Sequence, residues 1–127
     1  MVVNLELAGN RRRQELPQSL RGRVQISNVG WTYDQALAII AFLAMGDDAA
    51  ARSCADAMLK IRDDVHGAWA DGYNVCNGKV EARAIAVGPN AWMGIALLHL
   101  YEATGDNDYY LAAERIGEFI LALQSKQ

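Results

Sequence analysis

Three short segments of the chain place aromatic rings close to carboxylate or amide groups. The residues concerned are Trp31, Tyr33, Asp34, Trp69, Asp71, Tyr73, Asn90 and Trp92. Sugars present flat C–H faces and hydroxyl edges, so rings beside Asp and Asn side chains suit a carbohydrate. Glycosidic cleavage also needs two carboxyl groups, roughly 5–9.5 Å apart, as general acid and base. Asp34 and Asp71 are therefore the catalytic candidates, and the other six are candidate substrate-binding residues.

Each of these residues also has a purely structural interpretation. Asp34 would stabilise a helix start through the free N–H groups and the helix dipole. Asp71 precedes Gly72 and would make an Asx turn. The tryptophans would fill a core. If Trp69 and Tyr73 face Asp34 and solvent, the sugar interpretation is favoured; if they are buried in a subunit contact, a scaffold is favoured.

The elements that must position these residues are helices. From Tyr33 to Met45 apolar residues occupy every side, which predicts a helix buried all round. Gly46 then ends that helix and Asp47 caps the next one. From Ala50 to Ile61 the apolar residues follow one stripe only, which predicts an amphipathic surface helix. The sequence therefore predicts a helical hairpin with a buried inner helix and an exposed outer helix.

The same unit recurs later in the chain. Pro89 to Thr104 is apolar nearly all round, and Gly105-Asp106 repeats the earlier Gly-Asp turn before a second amphipathic helix, as expected of an internal repeat. In the connector, Asn77-Gly78 predicts a small β-hairpin. If both inner helices run parallel, they start at the same end, and the connector reaches that end as well. The three aromatic segments are therefore predicted to converge on one rim.

The predicted fold is all-α: two antiparallel helical hairpins joined by a long connecting loop. Residues 1–28 are polar and irregular and form a predicted N-terminal arm, and residues 29–127 form the helical-hairpin domain. The net charge is −3. The arginines in the arm are interpreted as solvated and not as a nucleic-acid contact, because no aromatic residue lies among them to stack on bases. No nucleic-acid partner is therefore expected.

Several classes of protein are excluded by what the sequence lacks. It holds no metal-ligand spacing and no nucleotide fingerprint, so no metal or cofactor is predicted. Its longest apolar run is too short for a transmembrane helix, so no membrane partner is expected. No signal peptide is visible, which favours a cytoplasmic location by default.

Three longer segments carry a family resemblance: WTYDQALAIIAFLAMGD at 31–47, GAWADGY at 67–73 and VGPNAWMGIALL at 87–98. Together, in this order, they resemble the six-hairpin glycosidase-like superfamily of α/α toroids. The resemblance implies a funnel, lined by the starts of the inner helices, that holds a sugar chain. Two hairpins are a fragment of such a ring, so this chain alone is not expected to carry a complete catalytic site.

An incomplete ring leaves apolar surface bare. We expect that two hairpins alone cannot cover all of Leu37, Ile40, Leu97 and Leu100, and that the bare surface drives a homo-oligomer, with two-fold symmetry favoured. The sequence thus supports a carbohydrate-binding or glycosidase-like protein. The alternative is a non-catalytic structural or interaction module that oligomerises through its exposed inner helices.

Overall fold

The computed structural model describes residues 28–63 and 65–124. The predicted arm at 1–28 therefore lies outside the described residues, apart from Asn28. The elements, in chain order, are β1 (Val29–Trp31), α1 (Thr32–Ala44), α2 (Asp48–Ile61), β2 (Gly72–Asn74), β3 (Val80–Ala82), α3 (Val87–Thr104) and α4 (Asn107–Gln124). Helices α1 and α2 form one hairpin and α3 and α4 form another, so the predicted pair of helical hairpins is confirmed.

Both hairpins turn on the same Gly-Asp pair. Gly46 has φ +77° and Gly105 has φ +72°. Such a left-handed backbone suits glycine because glycine lacks a Cβ. The Asp47 carboxylate then accepts a hydrogen bond from the Ala50 N–H at 3.0 Å. Asp106 accepts one from the Asp108 N–H at 3.1 Å in the second turn. Each pair therefore ends an inner helix and starts an outer one.

The inner helices α1 and α3 pack against each other, and each also packs against its own outer helix. Met58, Met93, Leu97, Leu100 and Ile116 are large side chains buried in the common core. Burial of apolar surface at about 25 cal/mol per Å² supplies the main stabilisation of such a core.

The inner helices are not buried all round, which corrects the sequence-based prediction. Tyr33, Leu37, Trp92, Ile95 and Leu98 are 37–43% exposed. Two hairpins give each inner helix a neighbouring inner helix on one flank only, so the remaining face meets solvent. Of the four residues that two hairpins alone were not expected to cover completely, Leu37 is exposed, whereas Leu97 and Leu100 are fully buried.

The connector supplies strands β2 and β3, which join β1 in a three-stranded antiparallel sheet in the order β1-β2-β3. The predicted hairpin is present as β2 and β3, and Gly78 has φ +72° in the turn between them. The Asn74 side chain accepts hydrogen bonds from the Cys76 and Asn77 N–H groups, which shapes this turn. The third strand, β1, was not predicted; it pairs with β2 and leads directly into α1.

Among the helices of residues 28–63 and 65–124, none is both long enough and apolar enough to cross a membrane.

Candidate functional site

The starts of the two inner helices meet at one edge of the molecule. Tyr33, the second residue of α1, lies edge-on to Trp92 of α3, with ring centroids 6.2 Å apart and ring planes at 82°. Both rings are about two-fifths exposed. An edge-to-face pair is a favoured aromatic arrangement, so the two helices hold each other's rings in place. We call Trp31, Tyr33, Asp34 and Trp92 the aromatic rim.

Trp31 joins this rim from strand β1. Its ring lies so close to Gly72 that a Cβ added there would come within 3.1 Å of Trp31 Cε3. The same Cβ would come within 2.8 Å of Val29 Cγ1. Glycine at position 72 is therefore what allows β1 and Trp31 to approach β2 closely.

The connector is fastened to the first turn of α1 by Thr32, which is fully buried. The Thr32 N–H donates to the Asp71 carbonyl oxygen at 2.8 Å, and the Thr32 hydroxyl donates to the Ala70 carbonyl oxygen at 2.6 Å. These bonds satisfy a helix-start N–H that has no partner within the helix. They also place Asp71 beside the start of α1, as the topological prediction required.

The two candidate carboxylates have different surroundings. Asp34 is half-buried in the first turn of α1, where the helix dipole favours a negative charge. It is the third residue of the helix, and the N-cap position belongs to Trp31. The Asp71 N–H donates to the Ala84 carbonyl oxygen at 2.7 Å. Its Oδ1 atom is buried and accepts no hydrogen bond from the described residues, an uncommon condition for a carboxylate.

Trp69 is fully buried, so it does not offer a ring to an external ligand. Its indole Nε1–H donates to the Met58 carbonyl oxygen at 2.7 Å. That carbonyl belongs to the last turn of α2. Of the two interpretations of Trp69, the structure therefore supports the core residue.

Asn90 and Tyr73 are buried as well. Asn90 accepts a hydrogen bond from the Trp69 N–H at 2.8 Å and donates to the carbonyl oxygens of Trp69 at 2.9 Å and Ala86 at 2.8 Å. The Tyr73 hydroxyl accepts from the Ala70 N–H at 2.8 Å. Burial raises the pKa of Tyr73 above its ordinary value, so the phenol stays neutral.

These three placements correct the view of Trp69, Tyr73 and Asn90 as surface residues of the rim. Their polar atoms bind the protein's own backbone, so in this fold they position the connector beneath the rim. The burial also lies inside the chain itself, so it does not mark the subunit contact that would favour a scaffold.

Two depressions beside the sheet were not foreseen from the sequence. One, of about 480 Å³, lies between α2 and the β2–β3 turn, with Asp56, Lys60 and Asn77 among its lining residues. The other, of about 280 Å³, is lined by Tyr73 together with Asp63 and Arg83. No residue of the aromatic rim lines either of them.

Thr32 was also missed as a positioning residue. Its signal in the sequence was a polar side chain at the start of an apolar helix, where burial demands a hydrogen-bond partner.

In the described part of the chain, no group of three or more His, Cys, Asp and Glu side chains is placed to hold a metal ion.

Two adjoining helical hairpins, whose inner helices start at one rim, form an arc of an α/α toroid. The chain is similar to endoglucanase Cel10 of Klebsiella pneumoniae, a family 8 glycosyl hydrolase, with a TM-score of 0.62 and 20% identity. The match covers 94% of this chain and 39% of that one, so this chain spans well under half of its neighbour. At this identity the likeness establishes the fold. No protein-family model and no curated protein matches the sequence.

Proposed function

We propose that the aromatic rim binds an oligosaccharide. The observation that carries the proposal is the Tyr33–Trp92 pair, which comes from the starts of two separate inner helices and leaves both rings about two-fifths exposed. Trp31, also exposed, extends the apolar surface, and Asp34 adds a hydrogen-bond acceptor beside it. Flat rings next to a carboxylate match the C–H faces and hydroxyl edges of a sugar.

The ligand class to try first is a glucan, because the toroidal neighbour is described as an endoglucanase. A shallow rim buries little of its ligand, so we expect affinities between micromolar and millimolar, about −8 to −4 kcal/mol. Asp34 would bind sugar hydroxyls through charge-assisted hydrogen bonds, which are stronger than neutral ones.

Hydrolysis is a separate part of the proposal. It would require Asp34 and Asp71 together, since one carboxyl group must act as acid and the other as base or nucleophile. The unpartnered Oδ1 of Asp71 supports a role beyond turn formation, because native proteins rarely leave such an atom unsatisfied. The chain spans only part of the toroid, so we expect binding without turnover.

The test is a titration with glucan oligosaccharides, followed by tryptophan fluorescence and NMR chemical shifts. Trp92→Ala should weaken binding about tenfold, the loss expected for one stacked ring. The matched control is Tyr110→Ala, since Tyr110 is equally exposed on α4, away from the rim. Absence of any shift at millimolar glucan, or an equal loss in the control, would refute the proposal.

The second candidate function is that of an interaction module. It is favoured by the exposure of Leu37, Ile95 and Leu98, three aliphatic side chains that a sugar-binding rim does not need. A Trp92→Ala variant that changes the assembly of the protein but leaves glucan titrations unchanged would favour this candidate.

A further inference from the structure

The two inner helices are related by a fixed sequence offset, the one that carries Gly46 to Gly105. This offset equates Tyr33 with Trp92, the two rings that meet at the rim. It also equates Gln35 with Gly94. The Gln35 side chain accepts a hydrogen bond from Cys54 Sγ of α2 at 3.5 Å, and a Cβ at Gly94 would lie 3.6 Å from Ile116 of α4. Equivalent positions thus face equivalent outer helices.

The same offset identifies an unfilled contact on α3. Successive helical residues are about 100° apart, so Ala36 lies on the side of α1 next to the one on which Gln35 faces α2. Ile39 lies between these two directions. Ala36 and Ile39 are both fully buried, and α3 is the inner helix that packs on α1. Their equivalents on α3 are Ile95 and Leu98, which are each 43% exposed. We call Ile95 and Leu98 the donor face.

The complementary half is unfilled on α1. On α3, Ala96, Leu97 and Leu100 are fully buried, and α1 is the inner helix that packs on α3. Their equivalents on α1 are Leu37, Ala38 and Ala41, which we call the acceptor face. Leu37 and Ala41 are exposed and Ala38 is half-buried. Besides the contact between α1 and α3, each chain therefore carries the two halves of a second contact of the same kind. Within residues 28–63 and 65–124, neither half is covered.

We propose that the donor face of one copy packs on the acceptor face of the next copy, repeating between chains the contact that joins α1 and α3 within one chain. The two faces suit each other in size, since large side chains on α3 meet two alanines and one leucine on α1. A two-fold dimer would instead pair each face with itself and leave the other face bare.

Head-to-tail contacts close into a ring when the rotation between copies allows it. The toroidal likeness covers 39% of the neighbouring chain, so two copies fall short of that length and three exceed it. This arithmetic favours a ring of three copies. In such a ring Tyr33 of the next copy would lie beside Trp92, which extends the aromatic row.

The experiment blocks the two faces separately. Ile95→Glu places a charge on the donor face and Ala41→Glu places one on the acceptor face, both at exposed positions where folding should be retained. Leu111→Glu is the matched control, because Leu111 is an exposed leucine on the outer helix α4. Circular dichroism checks the fold, and light scattering after gel filtration measures the mass. The protein is used at about 100 µM, a concentration at which even a weak contact between copies is populated.

The wild type and Leu111→Glu should assemble, whereas each face variant alone should run at the chain mass of 13.9 kDa. An equimolar mixture of the two face variants should form a one-to-one complex, because each supplies the face that the other lacks. A monomeric wild type would overturn the proposal and leave both faces to further hairpins of a longer chain. If one face variant still assembles, or if the mixture stays monomeric, the contact is not head-to-tail.

Discussion

Replacement of Asn90 by alanine tests whether the connector is held by a single side chain. The change removes three hydrogen bonds, one accepted from the Trp69 N–H and two donated to the carbonyl oxygens of Trp69 and Ala86. A buried hydrogen bond contributes about 1 kcal/mol net, and a buried group left without a partner costs more. We therefore expect Asn90→Ala to lower the free energy of unfolding by about 3–4 kcal/mol.

The assay is urea unfolding followed by circular dichroism, with Asn90→Asp and Asn107→Ala as comparisons. Asn90→Asp keeps the acceptor for the Trp69 N–H but faces a carboxylate towards two carbonyl oxygens, so it should cost at least as much at neutral pH. Asn107 is exposed at the start of α4. Its replacement should change stability by less than about 0.5 kcal/mol. A loss below about 1 kcal/mol for Asn90→Ala would refute the reasoning, because it would mean that water replaces these bonds at little cost.

Three further predictions concern the core, the outer helices and alkaline pH. Leu97 is fully buried on α3, and Leu97→Ala should cost about 2–5 kcal/mol in urea unfolding. The Arg52 guanidinium lies 3.5 Å from the Asp106 carboxylate on the surface. Arg52→Ala should nevertheless change stability by no more than about 0.5 kcal/mol, since a solvated surface pair contributes little. Equal costs for the two variants would contradict this burial argument. Burial and a hydrogen bond to Asp56 raise the pKa of Tyr109 to about 12. The contribution of Tyr109 should be complete below the unfolded pKa of about 10 and lost as pH rises through the folded value, so alkaline unfolding should be steeper than for Tyr109→Phe. Parallel curves for the two proteins would be evidence against this assignment.

The hairpins could be predicted from sequence because their signals are local. A Gly-Asp pair sets the backbone of a turn whatever surrounds it, and an apolar stripe identifies the outer helix α2. The Asn77-Gly78 turn is equally local. Strand β1 was missed because Val29, Gly30 and Trp31 form a strand only by pairing with β2, and a distant partner of this kind outweighs local strand propensity.

The location of the candidate site could be predicted from the sequence, but which of its aromatic residues are exposed could not. Topology alone brought the connector to the starts of the inner helices, and Thr32 and Asn90 fasten it there. Whether an aromatic residue in a loop faces inwards depends on tertiary partners that the sequence does not display. Trp69 is buried with its indole N–H on the Met58 carbonyl oxygen, whereas the Trp92 ring is two-fifths exposed beside Tyr33.

The double attachment of Trp69 has a consequence for how the protein unfolds. Its indole closes the last turn of α2 and its backbone is held by the first turn of α3, so neither turn can open without disturbing the other. In many repeat arrays the junction between units is a place where partial unfolding stops. Here that junction contains the largest buried side chain of the core, so the two hairpins are expected to open together as one cooperative unit. The smallest part of the chain expected to fold by itself is therefore the pair of hairpins with its connector, and not the single hairpin.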